Sequence, residues 1–346
     1  MRAQCCGDAH LSNFGLYASP ERRLVFDIND FDETLPGPWE WDVKRLAVSM
    51  LVAARNSGFS VKDQERIVLD TVGEYRVRMA EFAAMRNADV WYTRFEIAEL
   101  IPHLRSQVGG KMRKRLDKAV AKALTRDSLQ AFSKLSREVD GERHIVSEPP
   151  LIVRLDDYED TEDRDRIRAD LERLLLEYSL TLQHERRLLL AQYRLVDLAR
   201  KVVGVGSVGT RAAIALLLGR DGQDPLFLQI KEAQASVMEE FARPEREYRN
   251  SGERVVAGQR IMQASSDIFL GWISDTPDVH GVSRDYYVRQ LRDWKGSIAV
   301  EAMNPRALSV YGQLCAVTHA TRTPARAIAS PSPPTSVAAM FSTERS

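Results

Sequence analysis

Cysteine is scarce: the chain has three in 346 residues, two of them adjacent at Cys5 and Cys6. Three thiols make no disulfide framework, and that points to a reducing compartment. Histidine is equally thin. His103, His144, His184, His280 and His319 stand far apart with no ligand spacing between them, which argues against a zinc site. Net charge is missing as well, with 49 basic and 49 acidic side chains. A nucleic-acid partner usually calls for a basic excess, so none is expected. No apolar run approaches the roughly 20 residues that span a bilayer, and no leader segment is visible. The expectation is a soluble cytoplasmic protein without a membrane partner. Internal repeats and a Gly-x-Ser-x-Gly hydrolase elbow are also absent.

What is present is a large apolar share, 44% of residues, enough for one large domain or two ordinary ones. Residues 1–35 read as loops alternating with short strands. From Asp42 the text turns helical: "DVKRLAVSMLVAARNSG" has an apolar face at helical spacing, with Asp42 placed as an N-cap and Gly58 as the stop. Further helices are expected over 62–96, 113–137 and 163–192. The basic run "KMRKRLDKAVAKALTR" alternates charge with apolar residues and reads as a solvated helix face. Beyond residue 195 the texture changes to two apolar strands around the turn "RDGQD". A helix is expected over 253–267, strands at "IFLGWIS" and "DYYVRQLRD", and a last helix over 305–320. The Pro/Ser/Ala-rich end, 323–346, has the composition of a disordered tail.

The densest chemistry lies in "CCGDAHLSNFGLYASPERRLVFDINDFDET", residues 5–34. Asp8 and Asn13, five positions apart in a tight loop, suit phosphoryl transfer. There an Asp accepts the proton of the attacking hydroxyl and an Asn oxygen holds Mg²⁺. A second carboxylate, Asp30 or Asp27, would bridge the metal to nucleotide phosphates, because Mg²⁺ takes hard oxygen ligands. A second constellation is "GVGSVG", with Gly204, Gly206 and Gly209. It fits either a dinucleotide fold, where a helix follows the glycines, or a kinase hairpin, where a lysine strand follows them. "LQIK", ending at Lys231, favours the kinase. Glu253 or Glu240 lies where a kinase keeps the glutamate that pairs with this lysine.

"GDAHLSN" resembles the G-D-x-H-x-x-N catalytic loop of the aminoglycoside phosphotransferase and choline kinase branch of the protein-kinase-like superfamily. "VFDINDFDE" is similar to the strand and metal-binding aspartate that follow it there, and "WDVKRLA" to a later helix start. The resemblance implies that Asp8 is the base, Asn13 and Asp30 are metal ligands, His10 is structural and Asp42 braces the loop. Over about 1–320 the chain also resembles the bacterial family DUF2252, a group of unassigned function placed among kinase-like folds. Cys6 and the "DFD" of residues 30–32 depart from the superfamily pattern.

The expected fold is α+β and protein kinase-like. A mostly helical catalytic lobe (1–195) precedes an antiparallel-sheet lobe (196–300) and a helix (301–322). The glycine loop and lysine follow the catalytic loop, so the order is circularly permuted, and the chain reads as shortened at both ends relative to its relatives. The implied activity is transfer of phosphate from ATP, with Mg²⁺, to a hydroxyl of a small molecule or protein. The alternatives are a catalytically silent nucleotide-binding regulator and a dinucleotide-dependent oxidoreductase.

Overall fold

A computed structural model of the chain describes residues 2–125, 128–158, 161–202, 211–242, 248–277, 282–291, 294, 296 and 299–323. In chain order the elements begin with β1 (Arg2–Cys5), β2 (Phe14–Ala18), β3 (Leu24–Ile28) and β4 (Leu35–Pro38). Helices α1 (Glu40–Asn56), α2 (Val61–Ala84), α3 (Asn87–Tyr92), α4 (Ile97–Gln107), α5 (Gly110–Leu124) and α6 (Ser128–Leu135) follow. Then come β5 (Ser136–Val139), β6 (Glu142–Ile145), β7 (Ile152–Arg154), α7 (Thr161–Leu180) and α8 (His184–Leu190). The last third holds β8 (Arg194–Lys201), β9 (Ala212–Leu218), β10 (Pro225–Ala233), α9 (Glu239–Ala242), α10 (Ser251–Met262), β11 (Gly271–Pro277), β12 (Ser283–Gln290) and α11 (Pro305–Arg322).

Local chemistry sets several helix ends. The Ser60, Asn250 and Asn304 side chains accept from backbone N–H groups in the first turns of α2, α10 and α11, satisfying donors that a helix start leaves orphaned. Pro305 occupies the first helical position of α11, where its missing N–H costs nothing. Gly58 closes α1 at φ 69°, its N–H donating to Arg55 O. Asp42 is not an N-cap: α1 starts at Glu40, and the Asp42 carboxylate turns back to an earlier loop. The long helices expected over 62–96 and 163–192 are interrupted at 85–86 and 181–183, and the one expected over 113–137 gives way to β5 at Ser136.

Six strands form one antiparallel sheet in the order β11-β12-β10-β9-β8-β7. Side chains alternate across it. Ile214, Leu216 and Leu218 of β9 join Phe227 and Ile152 on one face, against Phe132 and Leu135 of α6. Ala215 and Leu217 join Leu226, Leu228 and Val288 on the other, against Tyr178 of α7 and Leu190 of α8. Both faces are covered, which is why "AAIALLL" reads as an unbroken apolar run.

The largest core gathers β2, β3, α1, α2, α10 and α11. Helix α11 lies along α2 so closely that a Cβ on Gly312 would sit 2.2 Å from Thr71 Oγ1. The chain's last described helix is thereby built into the same core as its first strands. Of the expected tail, only Thr323 falls among the described residues.

Candidate functional site

The loop after β1 is held from behind. Gly7 has φ 87°, and a Cβ there would lie 2.1 Å from Glu33 O, so only glycine allows this close passage. The buried Asp42 carboxylate accepts from Cys6 N at 2.8 Å and Gly7 N at 3.1 Å, fixing the turn that presents Asp8. On the far side of Asp42 lies His319, its Nε2 4.0 Å from Asp42 Oδ2. The ring stacks on Tyr75, which stacks on Trp39. Burial lowers the His319 pKa, with Asp42 opposing that shift in part.

Asp8 is half-buried. Its Oδ1 accepts from Arg45 Nε at 2.6 Å, and His10 Nε2 stands 3.5 Å from Oδ2. His10 also caps the short 3-10 turn over Leu11–Asn13, its Nδ1 accepting from Ser12 N. Asn13 donates its amide nitrogen to Asp8 O at 2.8 Å, which leaves its carboxamide oxygen as the acceptor end of the side chain. Asn13 O in turn accepts from Asn29 N at 2.8 Å. This bond docks the start of the 29–34 loop directly on the loop that carries Asp8 and Asn13.

The two candidate metal aspartates have different surroundings. Asp27 sits in β3, 1% exposed, with Arg322 Nη2 at 2.7 Å and Nε at 3.3 Å. Its oxygens also accept from Ile28 N and Ala264 N. Its carboxylate is committed to a structural ion pair. Asp30 is half-buried in the loop beside Asn13, its Oδ1 accepting from Asp32 N at 3.4 Å.

Lys231, buried in β10, reaches this loop from the sheet. The carboxylate it meets is Asp32, 199 residues away in sequence and two beyond Asp30. Tyr287 of β12 donates to the other Asp32 oxygen at 2.7 Å. Burial and the neighbouring Asp30 push the Asp32 pKa up, while Lys231 and Tyr287 pull it down. Neither Glu253 nor Glu240 takes the lysine. Glu253 closes its own helix start, accepting from Arg249 N at 2.9 Å, and Glu240 belongs to the short α9.

Sequence reasoning missed Asp32 as a partner, and with it Arg254. Arg254 of α10 donates to Asp32 O, Thr34 O and Gln234 O at 2.6–2.8 Å. Arg289 of β12 donates to Asn29 O and Gln229 Oε1. Arg289 thus lies behind the loop. Gly204, Gly206 and Gly209 lie outside the described residues. The segment after them is strand β9, where a dinucleotide fold needs a helix.

The sequence profile of a family described as an uncharacterized protein conserved in bacteria, DUF2252, matches residues 1–335. The chain belongs to the DUF2252 family. The match takes in the catalytic-type loop, the lysine strand and α11 together, so the site is built wholly within it. No curated protein and no solved structure matches the chain.

In this DUF2252 protein the donor chemistry suits a hard cation. Asn13 and Asp30 offer oxygen, and Mg²⁺ is commonly bound by one or two carboxylates with waters and substrate phosphates completing its shell. Among the described residues no group of three or more His, Cys, Asp or Glu side chains is arranged to hold a metal by itself. No described helix is long and apolar enough to cross a membrane.

Proposed function

We propose that this DUF2252 protein is a kinase-like phosphotransferase that moves the γ-phosphoryl group of ATP to a hydroxyl acceptor, with Mg²⁺ as cofactor. The observation that carries the reading is the meeting of Lys231 with the 30–32 loop, which is docked through Asn29 on Asn13. A cation from the sheet lobe, two oxygen ligands and a candidate base thus gather from far-apart parts of the chain. The order of elements supports it: antiparallel β8 and β9, the lysine strand β10, helix α10, then β12 beside β10. The permuted reading draws on the two ends of the described chain, since His319 of α11 and Cys6 after β1 both lie against Asp42.

In this reading Asp8 aligns the acceptor hydroxyl and takes up its proton, with Arg45 and His10 holding the carboxylate in place. Asn13 and Asp30 hold the metal, and Lys231 steadies the phosphates. When bound, Mg²⁺ neutralises phosphate charge and fixes its geometry. The protein's contribution is positioning and charge stabilisation. ATP supply and three free, buried thiols favour a cytoplasmic setting.

A silent nucleotide-binding role is the second reading. It is favoured by one observation: the Lys231 ammonium is occupied by Asp32, so a nucleotide must displace that carboxylate. Thermal unfolding tests both. ATP with Mg²⁺ is expected to raise the midpoint by mass action, and Asp30→Ala to remove the metal-dependent part. A midpoint indifferent to ATP and Mg²⁺ would overturn both readings. A shift without any ATP turnover favours the silent one.

A further inference from the structure

A cavity of about 630 Å³ lies beside the catalytic-type loop, between α4, α5, α11 and the 299–303 segment. That volume is in the range of small-molecule sites. Leu104, Met112, Leu116, Val310 and Leu314 make its wall apolar, while Ser12 and Phe14, either side of Asn13, form the end toward the loop. The space exists because α5 turns small side chains inward. Ala119 and Ala123 stand where leucines would close it, and Gly296 comes in against Ala123, 3.0 Å from where its own Cβ would be.

Charge marks the mouth. Arg115, Lys118 and Lys122 follow one another at spacings of three and four along α5, so they share a face. All three line the cavity and are exposed. One carboxylate, Glu301, lies among them, and Arg115 is anchored by donating to Ala302 O. The rim therefore carries a cationic excess over an apolar interior. The basic run of α5, which reads in sequence as a solvated helix face, is half wall and half rim.

We infer that this cavity binds an amphipathic anion, a hydrocarbon body with one carboxylate-like group, and presents its hydroxyl as the phosphoryl acceptor. The binding part stands on the cavity alone; the acceptor part rests on the phosphotransfer reading. In the transfer, the acceptor oxygen forms a bond to the γ-phosphorus. The bond from that phosphorus to the bridging oxygen of ADP breaks, ADP leaves with the electron pair, and the hydroxyl proton passes to the Asp8 carboxylate. The apolar body enters Leu104 to Leu314, and the anionic group meets Lys118 and Lys122.

The test uses dodecanoate, dodecyltrimethylammonium and 12-hydroxydodecanoate at monomeric concentrations, with the full chain. Both carboxylates should bind, and the ammonium should bind at least ~10-fold more weakly. Each two carbons removed should cost roughly 10-fold, at about 0.8 kcal/mol per buried CH₂. Lys118→Glu with Lys122→Glu should weaken the carboxylates ~10-fold, and Ala119→Trp should abolish binding by filling the cavity. Both variants should keep the ATP–Mg²⁺ thermal shift, which shows that they are folded. Equal binding of the two charge types, or binding unchanged by Ala119→Trp, overturns the inference. So does a failure of dodecanoate to bind while ATP still does. Carboxylate binding without transfer of labelled γ-phosphate to 12-hydroxydodecanoate upholds the pocket and overturns the acceptor role. If ATP and Mg²⁺ also leave the midpoint unmoved, the phosphotransfer reading itself has failed.

Discussion

Asp27 and Arg322 are each 1% exposed and meet at 2.7 Å. Removing one partner strands the other charge in the core, a loss usually of ~3–5 kcal/mol. Arg322→Met and Asp27→Asn should each lower urea-unfolding stability by an amount near that range, and the double variant should lose less than the sum. Full additivity would mean that the pair is not coupled. Asp8→Asn is nearly isosteric and should leave ATP affinity intact while cutting turnover ~10²–10⁴-fold; equal turnover would remove Asp8 from the mechanism. The contact of Asp42 with the loop after β1 was legible only through the family resemblance, since helical periodicity alone makes Asp42 an N-cap and its partner Cys6 lies 36 residues away. The sequence left Asp27 and Asp30 indistinguishable because Arg322, the residue that separates them, lies 295 positions on. Asp32 was passed over for the same reason, its lysine and tyrosine arriving from β10 and β12.

Two glycines in packed helices should behave oppositely. Gly312 of α11 is the point where a Cβ would strike Thr71 of α2 at 2.2 Å and Met50 of α1 at 2.8 Å. Gly312→Val is therefore expected to cost at least ~1–3 kcal/mol through overpacking. Gly73 of α2 has nothing within 4 Å of its would-be Cβ, so Gly73→Ala should stabilise by about 0.5–1 kcal/mol. Thermal midpoints moving in opposite directions would confirm the crossing. Periodicity alone reveals helices but not such crossings or interruptions. It also ran a helix through 113–137 into what is a hairpin, where Asp140 and Gly141, both at positive φ, turn β5 into β6. The Asp-Gly pair is a known hairpin signal, so that turn is readable from the sequence.

For the molecule as a whole, stability should depend on pH through His319. Burial holds its pKa below the ordinary 6.5. As pH falls below about 6.5, the unfolded chain takes up a proton that the folded chain refuses, so stability falls; above that pH the contribution vanishes. Among the groups around it, Asp42 favours the charged ring, while Tyr75 stays neutral with its own pKa pushed up to about 12. His319→Phe keeps the stacking on Tyr75. Its midpoint should therefore drop less than wild type between pH ~7.5 and ~5.5, and parallel curves would exclude His319. That same helix carries a consequence for synthesis. Strands β2 and β3 and helices α1 and α2 share their core with α11, which leaves the ribosome only after residues 125–304 have been made. At ~5–20 residues per second, the apolar faces awaiting α11 stay uncovered for about 10–40 s. During that interval the strands of the six-stranded sheet are all made, while the apolar faces of the N-terminal elements still lack their partner helix. Arg322, the final residue of α11, closes the core by neutralising Asp27.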